Sequence, residues 1–126
     1  MLKLTSILIF SEDPKALGEF YAKVLGREAD WNEGGYIGFD TGACFLTIGP
    51  HDKVKGKSTQ PERIMVNLET DDVKGEFERI KKAADPTVIA EPYNMDGGDY
   101  WLATLADPDG NYFQLVSPFE ATDLKN

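Results

Sequence analysis

Cysteine and histidine each occur once, at Cys44 and His51. A lone cysteine excludes an internal disulfide framework, and its expected role is that of a small buried hydrophobe. It stands in an apolar stretch with no basic neighbour to favour its thiolate, so a cysteine nucleophile is not expected. His51 lies in a polar connector with no partner motif, which leaves no Ser-His-Asp order to build on. No glycine loop precedes a helix in a way that would cradle phosphate. Long apolar runs are missing, and no charged-then-apolar leader opens the chain, so a cytoplasmic protein with no membrane partner is expected. Basic residues are also scarce, 13 against 22 acidic ones, for a net charge of −9. That balance argues against nucleic acid, whose phosphates would be repelled. It suits cationic small molecules, although solubility alone is the simpler use of such charge.

What is present fits one domain: 126 residues hold a core without disulfide or metal staples. The most informative stretch is Ala106 to Val116. Asp107-Pro108-Asp109-Gly110 is turn chemistry, with Pro108 presetting φ and Gly110 supplying a positive one. Strand-forming residues flank it, Tyr100 to Leu105 and Asn111 to Val116, so a hairpin is expected. In its second strand Tyr112, Gln114 and Val116 alternate with Phe113 and Leu115. A glutamine inside an otherwise apolar strand either faces water or needs hydrogen-bond partners or something to coordinate.

From the N-terminus, a strand is expected over Leu2 to Phe10. Ser11-Glu12-Asp13-Pro14 starts a helix that runs to about Leu25, with Leu17, Phe20, Tyr21 and Val24 on one face and Gly26 as its stop. Strands over Glu28 to Asn32, Tyr36 to Asp40 and Ala43 to Ile48 follow, separated by glycine-bearing turns. Gly49 to Pro61 reads as a linker or a flap. The order then repeats. A strand at Ile64 to Glu69 leads to a helix at Asp71 to Ala84, with Val73, Phe77 and Ile80 inward and Lys74, Glu78 and Lys82 spaced for surface pairs. Strands at Val88 to Pro92, Tyr100 to Leu105 and Asn111 to Val116 close the chain. Gly18-Glu19-Phe20 and Gly75-Glu76-Phe77 match as tripeptides within the two helices. The chain therefore reads as α+β, one domain of two βαβββ halves at about 1–50 and 62–118.

Two segments also carry a resemblance. Asp107-Pro108-Asp109-Gly110-Asn111 with the following Tyr-Phe-Gln-Leu, and Phe20-Tyr21-Ala22-Lys23-Val24-Leu25-Gly26 near the other end, resemble the glyoxalase/bleomycin-resistance/dioxygenase superfamily, also called the vicinal oxygen chelate fold. The resemblance implies two modules whose mixed sheets curl into a ligand-holding cup with helices outside, and a homodimer. Its members include lyases, epimerases, dioxygenases and drug-sequestering proteins.

In that superfamily chemistry usually sits on a divalent metal held by His, Glu or Gln from four strand positions. Carried over, those positions fall on Ser6, on Phe45 or Leu46, on Met65 or Arg63, and on Gln114. Only Gln114 offers a suitable donor, because such ions need hard oxygens or imidazole. No metal and no other cofactor is therefore expected. The remaining offer is apolar and aromatic surface. Ser6, Leu8, Trp31, Phe45, Met65, Asn67, Glu69, Trp101, Tyr112 and Gln114 are the expected ligand-binding residues, suited to a flat or cationic organic molecule. A desolvated Glu69 would serve as a general base, but a solvated Glu69 at the strand mouth is the favoured reading. The favoured reading is a metal-free small-molecule-binding protein. The alternative is a lyase or dioxygenase of the glyoxalase type with a divergent site.

Overall fold

The computed structural model describes residues 1–118. It forms two compact units, Met1–Lys57 and a second beginning at Ser58. Each is a βαβββ module with one four-stranded mixed sheet and one helix, so the chain is α+β.

In the first unit the elements are β1 (Ser6–Ser11), α1 (Pro14–Leu25), β2 (Trp31–Glu33), β3 (Tyr36–Asp40) and β4 (Phe45–Pro50). The sheet order is β1-β4-β3-β2, with β1 parallel to β4 and the other pairs antiparallel. The first strand starts later than the apolar run in the sequence. Ser6 pairs with Phe45, where β4 itself begins, so Leu2 and Leu4 have no partner strand and stay exposed. Strand β2 likewise begins at Trp31, three residues beyond its expected start.

Helix α1 opens as its sequence dictates. The Asp13 carboxylate accepts the N–H of Ala16, Pro14 occupies the first turn, and Gly26 ends the helix at φ 73° with its N–H on the Ala22 carbonyl. Leu17, Phe20, Tyr21 and Val24 are buried and pack against Ile37, Phe39, Leu46 and Ile48 on one face of the sheet. Gly18 lets the helix come close: a Cβ there would lie 2.5 Å from Cδ1 of Ile37. Cys44 sits in the turn before β4, partly exposed, rather than buried inside the strand.

The second unit contains β5 (Val66–Glu69), α2 (Val73–Ala84), β6 (Thr87–Asn94), a 3-10 turn over Met95–Gly97, β7 (Trp101–Ala106) and β8 (Tyr112–Val116). Its sheet order is β5-β8-β7-β6, again with the first and last strands parallel. Asp72 caps α2 by accepting the Gly75 N–H, and Val73, Phe77 and Ile80 are the buried face. The matching tripeptides do not occupy equivalent positions. Gly18 lies five residues beyond its cap and Gly75 three beyond its own.

The Asp107 turn is built as its composition requires. Asp107 Oδ1 accepts the N–H groups of Asp109 and Asn111, at 2.9 and 3.0 Å. Gly110, at φ 80°, donates its N–H to the Asp107 carbonyl. Among the described residues no helix is long and apolar enough to cross a membrane.

Candidate functional site

In the first unit the contact between Gly18 and Ile37 marks the side of the sheet that meets α1. Strand alternation and register then place Ser6, Leu8 and Phe10, Phe45, Thr47 and Gly49, and Tyr36 and Gly38 on the opposite, helix-free face. Three cross-strand rows result. One runs Ser6, Phe45, Asp40; the next Leu8, Thr47, Gly38 and on to Trp31; the third joins Phe10 to Gly49. Two glycines in these rows carry aromatic rings in place of side chains. A Cβ on Gly38 would fall 2.2 Å from the Trp31 indole, and one on Gly49 would fall 2.4 Å from the Tyr36 ring. Both rings therefore lie against bare backbone.

This face is not a closed core. Leu8 is 53% exposed, Phe45 42% and Trp31 39%. Such contiguous apolar exposure is the kind that marks a binding surface. At its margin the imidazole of His51 meets the Phe10 ring edge-to-face, centroids 5.1 Å apart.

In the second unit, the Lys74 ammonium sits 3.9 Å from the centre of the Trp101 ring, which fixes Trp101 on the α2 side of its sheet. Leu102 and Thr104 alternate to the helix-free face, and register brings Gln114, Asn67 and Glu69 there with them. Gln114 donates from Nε2 to Oγ1 of the buried Thr104 at 3.0 Å. That bond settles how the glutamine is held in an apolar strand. Its carbonyl oxygen takes no part in that bond and keeps its acceptor capacity.

The expected residues separate accordingly. Ser6, Leu8, Trp31 and Phe45 share the helix-free face of the first sheet. Asn67, Glu69, Tyr112 and Gln114 share that of the second, with Asn67 directly opposite Gln114. Met65 precedes β5 and is partly buried. Trp101 lies on the other side of its sheet, over Lys74. Four residues lie outside the sequence-based expectation: Thr104, His51 beside Phe10, and the two glycines under rings. Gly38 did leave a signal, since it interrupts the pattern of its strand beside Phe39.

The positions that the superfamily resemblance assigns to metal ligation do not fit a divalent cation. Ser6 and Phe45 face each other in the first sheet, and in the second Gln114 is opposite Asn67, so neutral oxygens and a phenyl ring stand where carboxylate or imidazole would be needed. Among the described residues no three His, Cys, Asp or Glu side chains converge.

Solved structures share this architecture. A glyoxalase/bleomycin resistance protein/dioxygenase family enzyme from Burkholderia phytofirmans PsJN is similar at 22% identity and TM-score 0.74, over 94% of this chain and 100% of that one. A glyoxalase-related enzyme from Fulvimarina pelagi is similar at 16% identity and TM-score 0.75, over 96% and 94%. A lactoylglutathione lyase from Agrobacterium tumefaciens is similar at 18% identity and TM-score 0.68, over 91% and 92%. At such identities the likeness is one of fold. No curated protein matches the chain. The family profile of the Glyoxalase-like domain matches residues 6–116, nearly all of the two modules just described, and the chain belongs to that family.

Proposed function

We propose that this glyoxalase-like protein binds a small organic molecule without a metal, using the helix-free sheet faces. The observation that carries the reading is the exposed aromatic face of the first sheet, where Trp31 and Tyr36 lie against Gly38 and Gly49 beside Leu8 and Phe45. Rings held against backbone have few alternative positions, so stacking a flat ligand on them costs little further ordering. On the helix-free face of the second sheet, taken by itself, the Gln114 carbonyl, oriented by the bond to Thr104, offers one polar acceptor. Flat aromatic compounds, cationic ones included, match this chemistry and the net charge of −9. Association of two copies belongs to the same proposal, and sedimentation of the purified chain tests it.

The decisive experiment is elemental analysis of the purified protein, paired with melting curves with and without chelator and divalent ions. We expect no stoichiometric metal and no shift on chelation, followed by stabilisation by members of a flat aromatic screen. A metal at near one per chain, with a melting point that falls on chelation, would overturn the metal-free reading. It would favour a lyase or dioxygenase with a divergent site.

A further inference from the structure

His51 is the one imidazole of the chain, and the structure brings it to the margin of the aromatic face. Its contact is with Phe10, whose register partner is Gly49, the residue that carries the Tyr36 ring. The ring's protonation pattern is fixed locally. Nδ1 accepts the backbone N–H of Lys53 at 3.1 Å, so the neutral imidazole holds its proton on Nε2 and is a donor there. The Asp52 carboxylate lies 3.4 Å from Nδ1 but is 91% exposed, and a solvated carboxylate does not displace the backbone donor. The Phe10 ring and the Lys53 amide thus hold the imidazole while its side chain stays 43% exposed.

We propose that His51 is a specificity residue of the first sheet's binding face, and that its Nε2–H selects flat aromatic ligands bearing a carbonyl or similar oxygen acceptor. The inference rests on the binding reading above and adds the ligand's polar group and the residue that recognises it. Phe10, Tyr36 and Trp31 supply stacking surface, which does not distinguish one flat hydrocarbon from another. A fixed donor at the edge does distinguish them. A ligand without the acceptor would leave that N–H desolvated and unpaired, which is where discrimination arises.

The test uses two probes of nearly equal shape, 2-acetylnaphthalene and 2-ethylnaphthalene, which differ by a carbonyl against a methylene. Both are titrated into the full-length, nitrogen-15-labelled chain and followed by the indole N–H signals of Trp31 and Trp101 and the ring signals of His51. Because there is one histidine, long-range proton–nitrogen spectra read its tautomer without assignment. We expect the Nε2–H form in the free protein at mildly alkaline pH. The ketone should bind roughly three- to tenfold more tightly than the ethyl compound, as one neutral hydrogen bond gives. It should shift Trp31 and His51 while sparing Trp101. His51→Phe keeps a ring against Phe10 and should bind both probes equally, while His51→Gln should restore part of the preference through its amide N–H. An Nδ1–H tautomer, equal binding of both probes by the unaltered chain, or a preference that survives in His51→Phe would each overturn the proposal and leave the binding reading standing. If neither probe nor any member of the flat aromatic screen binds, the binding reading itself fails, and the proposal with it.

Discussion

The Gln114 side chain donates to the Thr104 hydroxyl across the β7–β8 pair, and the two residues are direct register partners. The hydroxyl is buried and the amide half-buried, so each satisfies a polar group the other would leave stranded. Removing one therefore acts on both. Thr104→Val is expected to destabilise by about 1–2 kcal/mol, because it strands an amide donor, and Thr104→Ser to recover most of that. Urea unfolding measures both. Gln114→Ala is expected to lower affinity for a ligand of the second sheet's helix-free face by about tenfold or more, a larger loss than its effect on stability. Equal losses by titration calorimetry and urea unfolding would leave Gln114 a structural residue only.

Gly38 cannot accept a side chain while Trp31 stays where it is, since the new Cβ would come within 2.2 Å of the indole. Gly38→Ala should expel the ring from the sheet face, with a red-shifted Trp31 emission and a stability loss of about 1–3 kcal/mol. Recording the spectrum in a Trp101→Phe background isolates the signal. An unshifted spectrum would show that the ring does not rest on Gly38.

Gly18 presents two opposing effects. Alanine in a helix interior ordinarily gains about 1 kcal/mol over glycine. Here its Cβ would stand 2.5 Å from Cδ1 of Ile37, and overpacking of a filled site costs about 1–3 kcal/mol. Gly18→Ala alone is expected to destabilise. In an Ile37→Val background, which removes the offending methyl, the same change is expected to stabilise. A double-mutant cycle by chemical denaturation reads the change of sign.

Asp30 accepts the backbone N–H of Asp40 and pairs with Arg27 at 2.9 Å, and these contacts hold its carboxyl below the usual value of 3.8. The unfolded chain therefore binds this proton first as pH falls. The contribution is present above pH 3.8 and is lost as pH drops through the lower folded value. Asp30→Asn should accordingly melt below the unaltered protein at pH 7, with the gap narrowing below pH 3.8. A gap that is constant with pH would remove the charged form from the explanation.

Much of the architecture was legible because local chemistry marks element ends. Asp13-Pro14 and Gly26 bound α1, and the Asp107 turn sets the β7–β8 hairpin. Strand starts were less legible, because a strand begins where its partner does. Leu2 and Leu4 are apolar, yet β4 offers nothing to pair before Phe45. The site was legible in part for the same reason. Gln114 is conspicuous inside its own strand, but its partner Thr104 follows from register. The sequence groups Trp101 with the ligand residues, yet every residue from Leu102 to Ala106 is buried, so alternation of polarity does not reveal which side Trp101 takes. His51 stands in a polar connector with no partner in the sequence, and only folding of that connector brings it to Phe10.

The parallel pairing of first with last strand in each sheet also sets an order of assembly. Turns join β3 to β4 and β7 to β8 locally, whereas Ser6 must wait for Phe45 and Val66 for Phe113. Long-range pairing of that kind is the slow part of folding. During synthesis the first module gains its last pairing partner once β4 has left the ribosome, before β5 has emerged. Until then, Ile7 and Ile9 of β1 have no Leu46 or Ile48 beside them. The interval between the emergence of Ser11 from the ribosome and that of β4 is therefore when this chain has most to gain from a chaperone.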